Sequence, residues 1–403
     1  MKRLTSLRLL IGLLLLLGAW PASAQRPPYA RGAVPYLAVQ RDVLIGDAAL
    51  AGAPVRWRVD QARQLLAHYD RAAADGLPEL QPYAVPLRDA LADGSPSLIS
   101  VVARRAALRL LEARRSGCCH TAARREWNIT DDALPPAEQA LDEALARNQL
   151  DQLFTQADPA HPFYAALRLA LRTETDPARR RLLMLNMDRW RWMPRDLGQR
   201  YILVNAPAFE AALWDNGVEL ARWRVVVGRT RSRTPVFSAQ VTGVNFNPWW
   251  EIPQSIVAES VGALRRTNPG EFARRGYVVQ NGRYRQRPGP ANALGRMKLV
   301  MPNGYAVYLH DTPAQALFAQ EVRVGSHGCV RVAEALSLAT ALLSTRQGGW
   351  SQSDTDALVA SGRTQTVPLA APIPVYIGYF TAEPAGDGSI RYLPDIYGRD
   401  RSS

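Results

Sequence analysis

The spacing of apolar residues differs between the first and second halves of this 403-residue chain, and that difference restricts the fold more than any other feature. Between Val55 and about Thr173, apolar residues recur at the three- and four-residue spacing of amphipathic helices. From Tyr201 onward, short runs alternate between apolar and polar residues and are separated by turn residues, which is typical of strands. The sequence therefore predicts an α+β chain, with an all-α domain over residues 55–175 and a mostly-β domain over residues 176–382.

The mostly-β domain contains one interruption. Asn216-Gly217 predicts a tight hairpin turn between two of its strands. Residues 255–297 instead combine a helical pattern with turn-rich sequence, just before an alternating run that ends at His310. We interpret them as a helical and loop subdomain that covers the sheet as a lid. Residues 383–403 are predicted to be a tail that packs back on the helical domain. Strands are predicted over 201–205, 208–214, 221–228, 241–246 and 375–381.

One cysteine stands apart as a candidate nucleophile. Cys329 lies between a glycine and the start of an apolar helical pattern. Because a thiol reacts as the thiolate, it needs a base, and His310 and His327 are the candidates. In the alternating run before it, Tyr308 and His310 fall on one face of a strand and would point together into a cleft. The pattern indicates nucleophilic catalysis by a cysteine and a histidine.

The glycines near Cys329 favour a turn with unusual backbone angles. Gly325 and Gly328 bracket this turn, in which consecutive main-chain N–H groups can hold an oxyanion. His310, His327 and Cys329 are also of the residue types that bind zinc. A fourth ligand is not evident, however, and the His-x-Cys spacing is poor for a closed site. We therefore expect neither a metal nor a cofactor.

The segment Ser326-His327-Gly328-Cys329-Val330-Arg331, with an upstream strand histidine, resembles the signature of the L,D-transpeptidase catalytic domain, also called YkuD. The resemblance points to the large multidomain members of Gram-negative bacteria, in which a helical scaffold domain accompanies the catalytic domain. It implies that residues 55–175 are the scaffold, 176–382 the catalytic domain and 255–297 a capping subdomain. Other segments that resemble the family are Tyr201-Ile202-Leu203-Val204-Asn205, Thr234-Pro235-Val236-Phe237, Asn247-Pro248-Trp249-Trp250, Arg287-Pro288-Gly289-Pro290 and Leu309-His310-Asp311-Thr312-Pro313.

The resemblance assigns catalytic roles to individual residues. It implies that Cys329 is the nucleophile and that His310 is the base, oriented by the backbone carbonyl of Asp311. The Asp311 carboxylate is the alternative partner, although a side chain one position along a strand points away. The main-chain N–H groups of His327, Gly328 and Cys329 match the oxyanion pocket of the family.

The resemblance also assigns supporting roles around the substrate. Tyr308 and Trp250 are implied to line the substrate groove, although Trp250 could instead be a core residue. Ser326 and Arg331 are implied to support the nucleophile loop. Arg331 either forms an ion pair that braces the turn or binds a substrate carboxylate.

The family implies peptidoglycan stem peptides as substrates. The donor would be a tetrapeptide stem ending in D-alanine, and the acceptor the side-chain amine of another stem's diamino acid, so that the product is a cross-link between third residues. Carbapenems would acylate the same thiol. Two alternatives stay open: an L,D-carboxypeptidase or an enzyme that attaches or detaches a lipoprotein, and a non-catalytic wall-binding scaffold. The peptidoglycan-binding module that relatives insert after the scaffold has no room between Leu171 and Pro177.

The N-terminus predicts export. Residues 1–24 combine basic residues, an apolar run and Ala22-Ser23-Ala24, which is the pattern of a signal peptide, and residues 25–54 read as a linker. We expect a periplasmic protein with no membrane span after cleavage, with an uncleaved anchor as the alternative. The net charge of +13 is spread along the chain without basic and aromatic interleaving, so nucleic acid is not an expected partner.

The remaining cysteines and histidines are interpreted as structural. Cys118 and Cys119 are neighbours that could form a disulfide with each other, pair externally or stay reduced and buried, and we favour the buried, reduced state. His68, His120 and His161 lie in the helical half, where no nucleophile and base are predicted to pair, and lone histidines are usually structural or surface residues. Cys329 is therefore the free, functional thiol in each of these cases.

Overall fold

The first part of the described chain is helical, as predicted. The computed structural model describes residues 56–345 and 348–400, so the predicted signal peptide and linker lie outside the described residues. A 3₁₀ segment, Pro78–Tyr83, precedes the second helix. The helices are α1 (Val59–Arg71), α2 (Ala84–Asp93), α3 (Pro96–Ser116), α4 (Thr121–Arg124), α5 (Ala137–Ala146), α6 (Leu150–Ala157), α7 (Pro162–Thr173) and α8 (Pro177–Arg191).

The boundaries of the helices follow from local chemistry. Helix α3 begins with Pro96, whose fixed φ suits the first turn, and ends at Gly117, which has a φ of 69°. The apolar spacing between Ala137 and Leu153 predicts a single helix in this stretch, and that prediction is wrong. Asn148 has a φ of 56°, which breaks the pattern into α5 and α6. These helices bury their apolar faces in a core of their own that includes Leu65, Leu110 and Phe154.

The second part of the chain is built on one large sheet. Its order is β1-β5-β13-β2-β3-β4-β12-β10-β9, with β11 beside β4 and with β9 also paired to β5. The strands are β1 (Trp127–Asn128), β2 (Arg200–Asn205), β3 (Glu210–Asp215), β4 (Val218–Gly228), β5 (Val236–Phe246), β6 (Trp250–Glu251), β7 (Tyr277–Gln280), β8 (Arg283–Gln286), β9 (Met297–Val300), β10 (Leu309–His310), β11 (Val324–Ser326), β12 (Val330–Val332), β13 (Gln365–Gly378), β14 (Ala382–Pro384) and β15 (Ile390–Tyr392).

Sequence signals for this sheet were accurate in the middle and weaker at the edges. The predicted Asn216-Gly217 hairpin joins β3 to β4, and both residues have positive φ, at 49° and 76°. Strand β1, supplied by the helical half, pairs in parallel with β5 and was not predicted. The predicted strand up to His310 is short, because Ala306 has a φ of 53° and regular pairing begins at Leu309.

Helix α8 joins the helical half to the sheet. Its residue Trp190 is fully buried and stacks on His161 at 4.0 Å and on Phe380 at 4.6 Å between ring centroids. Two further helices, α9 (Ala335–Leu343) and α10 (Gln352–Ala360), follow β12. None of the described helices combines the length and the hydropathy that a membrane span requires.

The insertion that was predicted as helices and loops also contains a small sheet. Strands β6, β8 and β7 form it, and the turn between β7 and β8 is Asn281-Gly282. Its helical segments are Gln254–Ile256, the π-helix Val257–Val261, Gly262–Thr267 and Pro269–Arg274. These elements enclose a core of their own, formed by Trp250, Ile252, Val261, Phe272 and Leu294. We call residues 250–294 the cap.

The C-terminal segment contacts the helical half. Arg399 Nε donates to a Glu126 carboxylate oxygen at 2.6 Å, and Tyr392 Oη donates to Glu174 at 3.2 Å. The same arginine lies near the loop before β5, where its terminal nitrogens are 3.4 Å from the Thr234 carbonyl oxygen. The segment thus bridges the helical half and the loop at the start of β5.

Candidate active site

Two adjacent strands bring the predicted nucleophile and base to one face of the sheet. Strands β10 and β12 run parallel, with Leu309 opposite Val330 and His310 opposite Arg331. The Val330 N–H donates to the carbonyl of the residue before Leu309 at 3.1 Å. Because side chains alternate along a strand, Cys329, two residues before Arg331, projects from the same face as His310.

The loop that carries the nucleophile is fixed by hydrogen bonds at three of its residues. Ser326 Oγ donates to the Cys329 carbonyl at 2.5 Å and accepts from the Gly328 N–H at 3.1 Å. Thr234 Oγ1 donates to the Gly328 carbonyl at 2.9 Å. Gly328 has a φ of +117°, a conformation that a residue with a Cβ rarely adopts. Ser326 therefore shapes the loop, the kind of supporting role the family resemblance implied.

The oxyanion pocket has fewer free donors than the sequence suggested. The predicted pocket used the N–H groups of His327, Gly328 and Cys329, but the Gly328 N–H is taken by Ser326 Oγ. Within residues 56–345 and 348–400, the N–H groups of His327 and Cys329 donate to no protein acceptor. Two donors directed at a carbonyl oxygen are sufficient for an oxyanion pocket.

His310 is held as a neutral base. Its side chain is 4% exposed, and Nδ1–H donates to the backbone carbonyl of Asp311 at 2.5 Å, which leaves Nε2 as the acceptor. Burial lowers the pKa of His310 to about 4, so the imidazole is uncharged at neutral pH. The Asp311 carboxylate points elsewhere and accepts from the N–H and Nε of Arg296 at 2.8 and 3.0 Å. The carbonyl, and not the carboxylate, orients the ring.

Cys329 is a free, partly exposed thiol that is protonated at rest. Its Sγ lies 3.8 Å from the Ala306 carbonyl oxygen. Burial raises the pKa of Cys329 above its ordinary value, while the charges of Arg331 and Lys298 act in the opposite direction. The thiol therefore holds its proton at rest, and the neutral imidazole of His310 can accept it.

The cap packs over this face through Tyr308 and reaches the nucleophile loop through one acidic residue. Tyr308 is half-buried against the cap core that contains Trp250, and its ring lies 5.7 Å from that of His310. On the π-helix, Glu259 contacts His327 Nε2 at 2.8 Å and Arg229 at 3.8 Å. Trp250, predicted to line the groove, is 9% exposed and belongs to the cap core.

Some contributors to the site carried no role in the sequence analysis. Thr234 accepts from the Gly228 N–H at 2.9 Å, and Tyr397 Oη donates to the Gly228 carbonyl at 2.7 Å. Tyr397 Oη also accepts from the Thr234 N–H at 3.3 Å. A Cβ at Gly228 would lie 2.1 Å from the Ser232 carbonyl oxygen, so the close approach requires glycine. Thr234 was noticed as part of a family-like segment, whereas nothing near Tyr397 in the sequence pointed to this loop.

The geometry does not support the zinc alternative. His327 Nε2 is taken by Glu259, and in the described residues the possible ligand atoms of His310, His327 and Cys329 do not all lie within 4.8 Å of one another. In the part of the chain that the structure describes, metal-ligand atoms of three residues come within 4.8 Å of one another at Glu79, Cys118 and Cys119. These two cysteines form a disulfide and are half-buried, so the favoured reduced and buried state is wrong for them.

The histidines of the helical half are structural in this fold. His68 Nε2 contacts Asp151 at 2.7 Å, and His120 Nδ1 contacts Asp188 at 2.7 Å. His161 stacks on Trp190 in the main core, as described above. Each has a packing or pairing role, and none lies beside a nucleophile in the described residues.

Comparison with known proteins agrees with the domain order. Residues 199–367 match the family model of the L,D-transpeptidase catalytic domain, YkuD, and residues 55–171 match the Scaffold domain. A Haemophilus influenzae protein, provisionally named an L,D-transpeptidase, is 33% identical over 221 residues, which are 50% of this chain and 44% of that protein. The chain thus spans less than half the length of this curated relative.

Solved structures to which the chain is weakly similar are named as L,D-transpeptidases. The enzyme from Mycobacterium smegmatis has a TM-score of 0.25 and 11% identity, over 44% of this chain and 58% of that chain. L,D-transpeptidase 3 from Mycobacterium tuberculosis, solved with a faropenem-derived adduct, has a TM-score of 0.24 and 15% identity, over 45% and 60%. The two family matches establish that the chain carries a scaffold domain followed by a YkuD-type L,D-transpeptidase catalytic domain.

Proposed function

We propose that the protein is a cysteine-dependent L,D-transpeptidase that cross-links peptidoglycan stem peptides through a thioester on Cys329. The observation that carries this proposal is the pairing of β10 and β12, which sets Cys329 and His310 on one sheet face. The hydrogen bond from His310 Nδ1 to Asp311 supports it, because it leaves Nε2 ready to take the thiol proton. We also propose, from the N-terminal sequence alone, that the protein works in the periplasm.

The first half-reaction forms the acyl-enzyme. The Cys329 thiol gives its proton to His310 Nε2 while Sγ attacks the carbonyl carbon of the diamino acid that precedes D-alanine. The resulting oxyanion accepts hydrogen bonds from the N–H groups of His327 and Cys329. When the tetrahedral intermediate collapses, the C–N bond breaks and the leaving amine takes the proton from His310. D-Alanine is released and the acyl group remains on sulfur as a thioester.

The second half-reaction regenerates the thiol. The side-chain amine of a second stem peptide attacks the thioester and gives a proton to His310 as the new amide bond forms. The thiolate then leaves and recovers that proton. The product is a cross-link between third-position diamino acids, and water in place of the amine would give hydrolysis.

Incubation of the purified protein with disaccharide-tetrapeptide, followed by mass spectrometry, tests the proposal. We expect a cross-linked dimer and free D-alanine. A tripeptide monomer as the main product would instead indicate an L,D-carboxypeptidase, and an unchanged substrate would favour a non-catalytic wall-binding protein. A lipoprotein carrying a C-terminal lysine, added as a competing acceptor, tests the attachment reaction. We expect a carbapenem to add its mass to the wild type and not to Cys329→Ala.

A further inference from the structure

The distribution of lysine in this chain is unusual. Of its 49 basic residues, Lys2 and Lys298 are the two lysines, and every other one is arginine. Lys2 falls in the predicted signal peptide. Lys298 lies in β9, directly opposite His310 in an antiparallel pair. A chain that otherwise uses arginine therefore places its one remaining lysine next to the proposed catalytic base.

Lys298 and Arg331 flank His310 on the same sheet face. Residues opposite each other on paired strands share a face, so the β9–β10 and β10–β12 registers put Lys298, His310 and Arg331 in one row. Cys329 and Tyr308 belong to the adjacent row. Lys298 Nζ lies 5.1 Å from the centroid of the Tyr308 ring. Both cations are half-buried, and both influence the charge state of Cys329.

Neither cation is neutralised by the protein. Within residues 56–345 and 348–400, the side chains of Lys298 and Arg331 form no ion pair and no hydrogen bond, and Arg331 Nε is a buried donor without a partner. The acidic residues nearby are bonded elsewhere. Glu251, whose charge acts on Lys298, bonds to an arginine of the cap at 2.6 Å. Asp311 bonds to Arg296, and Glu259 to His327.

Partly buried cations without a counter-ion are unfavourable, because desolvation is not offset by attraction to an anion. Burial accordingly lowers the pKa of both Lys298 and Arg331. Arg229 adds further positive potential near Arg331. An anionic ligand bound near these two side chains would offset the cost of desolvating both.

We infer that Lys298, with Arg331, forms a subsite for the free C-terminal carboxylate of the donor peptide. This inference rests on the proposed function. It names the side chains by which the enzyme would select its donor peptide. In a tetrapeptide stem, the carboxylate of the last residue is separated from the scissile amide nitrogen by a single carbon. When Cys329 attacks that amide, the carboxylate must lie within a few bond lengths of the sulfur, on the face where the two cations stand. Lysine supplies a compact point charge with rotatable donors, whereas arginine presents a planar fork of fixed geometry.

The test compares two donors that differ in one group. Disaccharide-tetrapeptide with a free C-terminal carboxylate and the same molecule with a C-terminal carboxamide are offered separately, and kcat/KM for D-alanine or D-alaninamide release is measured. We expect the wild type to prefer the carboxylate donor by about 10- to 100-fold, as is typical when a charge-assisted contact is lost. In Lys298→Met the preference should shrink to within about threefold. Lys298→Arg should keep part of it.

The control is Arg283→Met, which removes one positive charge from an exposed position in the cap. It should leave the preference unchanged. If Lys298→Met slows both donors equally, the lysine acts on the thiolate and the inference is wrong. A wild type that does not distinguish the two donors also overturns it, whether or not the variant folds. If the wild type releases product from neither donor and carbapenem does not label Cys329, the proposed function itself fails.

Discussion

Two regions of this molecule place partly or fully buried cations in different surroundings. At the junction of the helical half with the sheet, Arg114 lies between Asp75 and Asp158, with both N···O distances at 2.7 Å. Arg191 pairs with Asp188 at 2.8 Å in the same region. On the catalytic face, Lys298 and Arg331 have no carboxylate partner among the described residues.

The difference separates two uses of charge. A paired, buried arginine contributes to one specific arrangement of helices, and removing its partner leaves a charge stranded away from water. An unpaired cation beside a nucleophile instead prepares a place for an anion that arrives with the substrate. We therefore expect substitutions at the junction to change stability and substitutions on the catalytic face to change activity.

The largest difference between an effect on activity and an effect on stability is expected for Cys329→Ala. Removing the nucleophile should lower the turnover of disaccharide-tetrapeptide by about 10³-fold or more, because the other groups cannot form a thioester. The melting temperature should stay near that of the wild type, since the side chain is partly exposed. Parallel product analysis and thermal denaturation measure the two quantities. Residual turnover near the wild-type level would refute the assignment of the nucleophile.

The opposite behaviour is expected for Asp188→Asn. This change leaves the Arg191 guanidinium buried without its negative partner and also weakens the contact to His120. The free energy of unfolding should fall by about 3 to 5 kcal/mol, as when one member of a buried ion pair is removed. Urea denaturation measures it, and kcat/KM of the remaining folded protein should be close to normal. An unchanged unfolding midpoint would contradict the comparison.

A third prediction concerns the pH dependence of acylation. The base form of His310 is neutral, and burial lowers its pKa to about 4 from an ordinary 6.5. Neutral His310 therefore persists as the pH falls through 6.5, and the rate of carbapenem acylation should decline only near pH 4, about tenfold per pH unit below it. A decline centred between pH 6 and 7 would show that the histidine titrates normally.

The same shift has a consequence for stability. Between pH 6.5 and about 4 the unfolded chain binds a proton at His310 that the folded chain does not, so this residue makes stability fall as the pH decreases through that range. The variant His310→Gln removes this contribution. Its unfolding free energy should depend less on pH than that of the wild type over the same interval, as measured by urea denaturation at several pH values.

The smallest effect on stability is expected for Lys298→Met. Since the lysine has no protein counter-ion, replacing it with an apolar side chain of similar length should change the free energy of unfolding by less than about 1 kcal/mol. The change is expected to be neutral or stabilising, although the preference for the carboxylate donor is lost. A loss comparable to that of Asp188→Asn would mean that the lysine is structural.

Local sequence signals predicted those parts of the fold in which residues contact others that are close to them in the sequence. The hairpin at Asn216-Gly217 is an example, because its turn residues determine the geometry. The same dipeptide at Asn281-Gly282 did not lead to a hairpin prediction, because it lies in a segment interpreted as helices and loops. The catalytic pair could be predicted from the sequence because Cys329 and His310 lie in motifs that resemble those of a known family.

Features that depend on long-range contacts could not be predicted. The Gly328 N–H donates to Ser326 Oγ and so is not free for an oxyanion. This hydrogen bond depends on the conformation of the loop, and not on its composition. The contact of Tyr397 with Gly228 joins residues that are 169 positions apart. Lys298 does not belong to a recognisable sequence motif. The role inferred for it follows from the strand register, which places it opposite His310.

The C-terminal segment described above affects the order in which the site can mature. The backbone turn that positions Gly328 depends on Thr234, which in turn is held by Tyr397 and by Arg399, and Arg399 is anchored on Glu126. During synthesis, Tyr397 leaves the ribosome well after Cys329 has done so. A growing chain would therefore carry its reactive sulfur in an incompletely braced turn, and chemical competence would arise only when the later residues dock on both the helices and the sheet.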